Sequence, residues 1–266
     1  MSRVFLLAFM MLSTAVSWGE NSAERTKRDF RRLGLPVYEG NRARILPTAE
    51  IKFRDLFEAI DGAESYILLD YFKFQQDSIC GLLIENLCRK VREGVQVYVL
   101  FDSFGNHDSD FPLSDTLQAR IRGAGVNICA FDPVRFPWIN HLFHRDHHKI
   151  AVVDGKTVYT GGMNVADYYL HGKPKVGRWR DMHIRIDGPI AKAYEELFWK
   201  MWNKEQGARS KRIQKNFRLL VKTLAPCPLL LTPVTLPSFP AGPRRRRRLY
   251  DRLTAFPSTM PTVWSR

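Results

Sequence analysis

Cysteine is scarce in this sequence, with four residues in a chain of 266. They have no short repeated spacing of the kind that zinc sites require. Cys80 and Cys88 are eight positions apart in a helical pattern, too far for a disulfide between them. The sequence therefore gives no sign of a disulfide framework, and it predicts that the cysteines are buried as small apolar groups. The four are Cys80, Cys88, Cys129 and Cys227.

Acidic residues are scarce in the C-terminal part of the chain. From Asn203 onwards there are 14 Lys and Arg against two acids, which accounts for +12 of the total net charge of +14. Residues 1–202 hold 27 basic and 25 acidic side chains, so that part is close to neutral. Since nucleic-acid binding needs clustered positive charge, a nucleic-acid partner for the folded part is not favoured.

The apolar run at the N-terminus is too short to cross a membrane as a regular helix. Val4–Trp18 contains 15 residues, against about 20 for a span. Arg3 precedes the run, and 15–17 offers the small residues that a signal peptidase accepts. We interpret 1–19 as a signal peptide; a short membrane anchor and a buried helix are the alternatives. The polar segment 20–40 is typical of a linker.

Strand-like and helix-like patterns alternate between Asn41 and Lys204. Runs rich in branched and aromatic residues predict strands, and apolar residues at helical spacing predict helices. The predicted strands are 65–74, 95–101, 126–131, 149–153, 157–160 and 182–186. The predicted helices are 78–93, 113–122 and 189–202. This alternation predicts one α/β layered domain at 41–204, with a largely buried sheet.

The pattern decays beyond residue 204. Segment 211–224 could form one basic helix, after which prolines recur and five consecutive arginines follow at 244–248. Such a composition predicts that 205–266 is a basic, proline-rich and disordered tail.

Residues 147–164, HHKIAVVDGKTVYTGGMN, place basic groups at the start of an apolar strand. Side chains along a strand alternate faces, so His147 and Lys149 project to the same side. Asp154 has the opposite parity to His147. A regular strand therefore predicts that Asp154 points away from the two basic residues and braces a turn or pairs structurally.

The two ends of this segment gather groups that suit a phosphate. They are an imidazole, an ammonium, backbone amides and a carboxamide, which can attack phosphorus or hold its oxygens. These groups belong to His147, Lys149, Gly161, Gly162 and Asn164. A nucleophilic imidazole should be neutral and held in one tautomer, usually by a carboxylate. Asp181, at the start of the next strand, is the candidate for that role.

The spacing H-x-K-x4-D-x6-G-G-x-N resembles the HKD motif of the phospholipase D superfamily. The flanking segments look like the bacterial cardiolipin synthase branch of that superfamily, and the similarity covers about 41–202. These segments are 69–74 with Asp77, 94–102, 162–168, and 179–183 leading into 187–189.

This resemblance implies an α/β/α sandwich with a mixed sheet, and catalysis without a metal or cofactor. It implies that His147 is the nucleophile and forms a phosphohistidine. Lys149 and Asn164 would hold phosphate oxygens, Asp154 would complete the motif, and Asp181 would orient His147. In such synthases one phosphatidylglycerol donates its phosphatidyl group, glycerol leaves, and a second phosphatidylglycerol accepts the group. The expected location is the bacterial cell membrane or its periplasmic face.

The sequence departs from the family pattern because it contains one HKD motif, whereas members of this branch resemble a fused pair with two. Residues 242–256 only faintly resemble the opening of a second half. Three explanations stay open: a truncated or frameshifted product, which we favour, a homodimer in which two copies of His147 face each other, or a separate chain with the second motif. The competing functions are a homodimeric phosphodiesterase or nuclease and an inactive remnant that binds an anionic membrane surface.

Overall fold

The structure is a computed structural model that describes residues 22–133, 143–174 and 176–220, with side chains up to residue 207. The predicted signal segment and the proline-rich part of the tail therefore lie outside the described residues.

The chain divides into two units, 1–40 and 41–266. In the first unit, α1 (Ser22–Arg32) has no buried residue. It therefore packs against no hydrophobic core, and it lies within segment 20–40, which was predicted to be a linker. Lys27 pairs there with Glu24 at 2.7 Å and with Glu39 at 3.1 Å.

The second unit contains seven strands and six helices among the described residues. In chain order they are β1 (Arg42–Leu46), α2 (Ala49–Asp61), β2 (Tyr66–Tyr71), α3 (Ser78–Arg92), β3 (Gln96–Asp102), α4 (Ser103–His107), α5 (Asp115–Gly123), β4 (Asn127–Phe131), β5 (Lys149–Val153), β6 (Thr157–Gly161), α6 (Tyr168–His171), β7 (His183–Asp187) and α7 (Ala191–Leu220). Side chains of Thr48, Asp77 and Ser114 accept hydrogen bonds from the first turns of α2, α3 and α5. Such caps fix where these helices begin.

All seven strands form one mixed sheet in the order β1-β7-β6-β5-β2-β3-β4. The pairs β2–β3 and β3–β4 are parallel, and the other neighbours are antiparallel. The parallel pairs are joined through α3 and α5, as parallel strands require a crossover. The predicted α/β class with a mixed sheet is confirmed.

Hydrophobic cores lie on both faces of the sheet. One face packs α2, α3 and α5, and the other packs α7. Within β5, Ala151 and Val153 belong to the first core, whereas Ile150 and Val152 belong to the second. The alternation predicted for this strand is therefore confirmed. The described cysteines Cys80, Cys88 and Cys129 are buried, as expected.

Several elements depart from the sequence prediction, among them α2 and α7. The helix α2 was not predicted, because its buried side includes the polar residues Lys52 and Asp55, which interrupt the apolar pattern. The helix α7 was predicted as two separate helices, but it runs for 30 residues and passes the proposed boundary at residue 204. Segment 203–210 contains no proline, and one glycine costs a helix only about 1 kcal/mol. Within the described part of the chain, no helix is long and apolar enough to cross a membrane.

Candidate active site

A cleft of about 320 Å³ opens at the edge of the sheet where β2 ends and β5 begins. The ends of β6 and β7 meet at the same edge, since Gly161 is paired with His183. The cleft therefore brings together segments that are far apart in sequence. Its lining includes Phe72, Lys73, Asp108, Asp110, His147, Lys149, Gly162, Asn164, Tyr169, Lys173, Trp179 and Asp181.

His147 is exposed and stands at the wall of this cleft, two positions before β5 begins. Its imidazole packs on the ring of Phe72, with 4.7 Å between ring centroids. Partial burial of the imidazole, followed by the positive charge of Lys149, lowers the pKa of His147 below its ordinary value. The ring is therefore neutral near pH 7, which is the state that a nucleophilic imidazole needs.

Lys149 is the first residue of β5, and 5% of its surface is exposed. Its Nζ donates a hydrogen bond to the backbone oxygen of His147 at 2.7 Å and lies 5.0 Å from the centroid of the Phe72 ring. Burial lowers its pKa to about 8, against the attraction of nearby acids that include Asp146 and Asp181. At neutral pH Lys149 is therefore protonated in most molecules, and its fixed ammonium group faces the cleft beside the imidazole.

Asn164 presents its carboxamide to the cleft in a fixed orientation. Its Oδ1 accepts a hydrogen bond from the amide of Lys73 at 3.1 Å, and its Nδ2 donates to the hydroxyl of Tyr169 at 3.2 Å. An amide NH₂ has two hydrogens, so one remains for a ligand oxygen after the bond to Tyr169. The side chain is buried, and these contacts hold it in place before any ligand binds.

The two glycines, which were predicted to contact phosphate, pack closely against residues 181–183. The amide of Gly162 donates to the backbone oxygen of Met182 at 3.1 Å and is not available to a phosphate. A Cβ atom at Gly161 would collide with the backbone of 182–183, and one at Gly162 would collide with the carboxylate of Asp181. Gly162 lines the cleft and Gly161 does not. Glycine is therefore required here so that Asp181 can approach.

Asp181 reaches the cleft, but it does not contact His147 in the way that was predicted. Its Oδ1 accepts a hydrogen bond from the amide of Met182 at 2.7 Å. Among the described residues, no hydrogen bond or ion pair joins Asp181 to His147. Its negative charge instead helps to keep Lys149 protonated.

Asp154 lies away from the cleft, in the turn between β5 and β6. It has a φ of 51° and accepts hydrogen bonds from the amides of Glu64, Ser65 and Tyr66 at 2.8–2.9 Å. The side chain thus fastens the turn to the start of β2, as its strand parity predicted. Asp154, which was predicted among the catalytic residues, is therefore not one of the residues that line the cleft.

Several residues of the cleft were not identified as site residues from the sequence. Lys73 pairs with Asp108 at 2.7 Å, and Lys173 pairs with Asp110 at the same distance. All four of these residues line the same cleft as His147, so the cleft holds two ammonium groups besides that of Lys149. The signal that could have found Lys73 is its position at the end of the strand that pairs with β5.

Comparison with known proteins gives consistent matches. A family model described as "Cardiolipin synthase, PLD-like domain" matches residues 56–202. Cardiolipin synthase A of Pseudomonas putida is 35% identical over 191 residues, which is 71% of this chain and 39% of that protein. The probable cardiolipin synthase YwiE of Bacillus subtilis (strain 168) is 35% identical over 160 residues, 60% of this chain and 31% of that protein.

Solved structures also align with the chain. Nuc from Salmonella typhimurium, a phospholipase D family member, aligns with a TM-score of 0.46 and 20% identity over 62% of this chain and 95% of that chain. The chain spans 39% of the length of the Pseudomonas putida relative. The family match contains the whole HKD motif, and it confirms the resemblance seen in the sequence. The chain belongs to the family of cardiolipin synthase, phospholipase D-like domains.

Proposed function

We propose that this chain supplies the nucleophilic half of a phosphatidyltransferase site of the cardiolipin synthase type. The observation that carries the proposal is the placement of an exposed, neutral imidazole beside a buried ammonium and an oriented carboxamide on one cleft. This set suits nucleophilic attack at phosphorus, since it combines a nucleophile with hydrogen-bond donors for the phosphate oxygens.

In the first step the imidazole of His147 attacks the phosphorus of a phosphatidylglycerol molecule. A P–N bond forms, the P–O bond to the head-group glycerol breaks, and glycerol leaves as its alcohol after taking up one proton. Lys149 and the remaining N–H of Asn164 stabilise the charge that develops on the non-bridging oxygens. Electrostatic stabilisation of this kind usually provides the largest share of catalysis.

In the second step a hydroxyl of another phosphatidylglycerol attacks the phosphohistidine. The new P–O bond forms as the P–N bond breaks, the hydroxyl gives up its proton, and the imidazole of His147 returns to its neutral state. The product is cardiolipin, and the phosphodiester count is unchanged.

A general acid is needed at the leaving alcohol, within hydrogen-bond reach of its oxygen. Among the described residues that line the cleft, His147 is the one histidine, and it is occupied as the nucleophile. We therefore propose that a second HKD-bearing half provides the acid, from another copy of this chain or from a separate chain. Under this proposal the complete active site lies at the interface between this chain and the second HKD-bearing half.

The substrate places the reaction at a membrane surface, on the bacterial cell membrane or its periplasmic face. The C-terminal excess of positive charge supports binding to anionic lipid, because each basic residue near such a surface contributes about 1 kcal/mol. Nucleic acid is the less favoured substrate. The first 202 residues carry a net charge of only +2, and two of the cleft cations are already paired with acids.

The test uses purified full-length chain with vesicles of phosphatidylglycerol, or with DNA, in the presence of a chelator. If another copy of this chain provides the acid, we expect glycerol release from the vesicles, and we expect His147→Ala to abolish it; if a separate chain provides it, we expect release only when that chain is added. His144→Ala is the matched control, because His144 is exposed and is not part of the cleft lining. Cleavage of DNA would support a nuclease instead, and vesicle binding without turnover would support a lipid-binding remnant. The molar mass in solution, measured in parallel, tests the need for a second half.

A further inference from the structure

Two aspartates and a histidine meet behind the candidate active site, on the other side of the sheet. Asp70 lies near the end of β2 in register with Ile150, and it therefore shares the face that packs α7. Asp146 and His148 flank His147 in sequence and approach Asp70 across this strand pair. The proposed transfer chemistry makes no use of these three residues.

The three side chains converge on one point. The Nδ1 atom of His148 lies 2.7 Å from Oδ1 of Asp146 and 3.3 Å from Oδ2 of Asp70. One donor atom from each residue lies within 4.8 Å of the other two. Two of the residues are buried, and the third reaches partly to solvent, with 38% of its side chain exposed.

Three of the four oxygens of the two carboxylates lack a hydrogen-bond partner among the described residues, and Oδ1 of Asp146 accepts one from the amide of His148 at 3.1 Å. The three are both oxygens of Asp70 and Oδ2 of Asp146. Asp70 is 0% exposed and Asp146 is 1% exposed. A buried carboxylate without partners is costly, and two that face each other also repel. One imidazolium can offset one of these charges, whereas a divalent cation can offset both.

We propose that Asp70, Asp146 and His148 form a binding site for a divalent transition metal, with Zn²⁺ as the best-fitting ion. One imidazole nitrogen and two carboxylate oxygens suit this ion better than Ca²⁺ or Mg²⁺, which prefer six or more oxygens. Tetrahedral ligands about 2.0–2.1 Å from zinc lie roughly 3.3–3.4 Å apart. The distance from His148 to Asp70 already fits, and the contact with Asp146 must lengthen from 2.7 Å by about 0.6–0.7 Å. The partly exposed side of His148 leaves the fourth position to water.

The ion would hold the strand pair together, without a part in the transfer reaction. It would tie the end of β2 to the backbone on both sides of His147, while the imidazole of His147 faces the cleft with Lys149. The same backbone is held by the amide of Phe72, which donates to the oxygen of His148 at 2.9 Å. The site therefore acts on the position of the nucleophile and is distinct from the chemistry proposed for it.

The experiment uses the full chain, stripped of metal with a chelator and then titrated with Zn²⁺ by calorimetry, with thermal unfolding as a second readout. We expect one Zn²⁺ per chain and a higher unfolding temperature in its presence. Co²⁺ bound in the same site is expected to give the absorption spectrum that is typical of nitrogen and oxygen ligands. A thiolate band would assign the metal to cysteines and would overturn the proposal.

His148→Arg is the decisive variant. Its guanidinium keeps a cation between the two carboxylates and so protects the fold, but it offers no lone pair to a metal. We expect zinc affinity to fall by more than about 100-fold, since changing a residue that only hydrogen-bonds to a metal ligand already costs about 10–100-fold. Asp70→Asn should weaken binding as well. His144→Gln is the control, because it removes a histidine paired with Asp132 instead, and it should bind zinc like the original chain. Equal zinc binding by His148→Arg and the original chain would overturn the site, as would the failure of the original chain to bind one equivalent.

Discussion

His147 and His148 are consecutive residues with opposite environments. His147 is exposed on the cleft beside Lys149, and its pKa is lowered by partial burial and by that positive charge. His148 faces Asp146 and Asp70, and the close contacts of its ring with these carboxylates raise its pKa to about 10. His147 is therefore neutral near pH 7, whereas His148 is protonated and paired with the two carboxylates.

The strand alternation at the start of β5 produces this difference. Alternate residues contribute to separate faces, so the chain can place a cationic cleft on one side and an acidic, closed cluster on the other. The open side is suited to an anionic substrate, whereas the closed side is suited to a bound cation. Under the two proposals above, His147 carries out the transfer chemistry and His148 has a structural role.

The largest expected effect separates the two histidines directly. His147→Ala should lower phosphatidyl transfer by about 1,000-fold or more, because it removes the nucleophile. His148→Arg should keep activity within about tenfold, because its cation still lies between the carboxylates. Initial rates of glycerol release measure both. Equal losses in the two variants would contradict the assignment.

Gly162→Ala tests how closely the cleft side is packed. The added Cβ would collide with the carboxylate of Asp181, and overpacking of this kind costs about 1–3 kcal/mol of unfolding free energy. We also expect activity to fall by about tenfold or more, because Asp181 and the neighbouring Asn164 must shift. Denaturant unfolding and initial rates measure the two effects. Gly123→Ala is the control, since no atom lies within 4 Å of a Cβ there.

His183, which is paired with Gly161 at the cleft edge of the sheet, should make the free energy of unfolding depend on pH. Burial, followed by the charge of Lys52, lowers its pKa to about 2, so the folded state keeps the ring neutral. Its Nδ1 accepts a hydrogen bond from the amide of Met163, which requires that form. The unfolded chain binds a proton below about pH 6.5 while the folded chain does not. Stability from this group is therefore complete above that pH and falls by up to about 1.4 kcal/mol per pH unit below it.

Denaturant unfolding between pH 4 and 8 measures this effect. His183→Asn can still accept the bond from Met163 but does not titrate, so the difference in unfolding free energy between variant and original chain should change with pH below 6.5. A pH-independent difference would contradict the prediction.

Tyr169→Phe has the smallest expected effect. The hydroxyl of Tyr169 accepts from Nδ2 of Asn164 at 3.2 Å and donates to the oxygen of Gly162 at 3.4 Å. Its loss should cost about 1 kcal/mol of unfolding free energy and lower kcat by a few fold, because Asn164 loses one of its two anchors. Tyr98→Phe, on the opposite side of the sheet, should leave kcat unchanged.

Most of the site was predictable because the HKD motif is local in sequence. One strand and the hairpin after it fix the relative places of His147, Lys149 and Asn164, and strand parity placed Asp154 in its turn. The contributions from distant segments were not predictable. The approach of Asp181 to Gly162, and the pairing of Lys73 with Asp108, depend on the sheet order, which the sequence pattern does not state.

The same limit applies to the fold. The six strands β2 to β7 and the helices α3 and α5 follow clear patterns, and their existence was predicted. The strand β1 has a mostly exposed pattern, and α2 buries a lysine and an aspartate, so neither has the periodicity that reveals an element. The Asp70 cluster was missed for a related reason. Asp70 lies on β2, whereas Asp146 and His148 lie just before β5, and they are recognised as one cluster only when the β2–β5 pairing brings them together.

The most direct test of the account is to trap the covalent intermediate. The chain is mixed with phosphatidylglycerol labelled at phosphorus, quenched at alkaline pH to preserve phosphohistidine, and digested for mass spectrometry. We predict a phosphatidyl group on the imidazole of His147 and none on His148. Transfer that proceeds with no adduct, or with the label on any other side chain, would contradict the claim that His147 is the nucleophile.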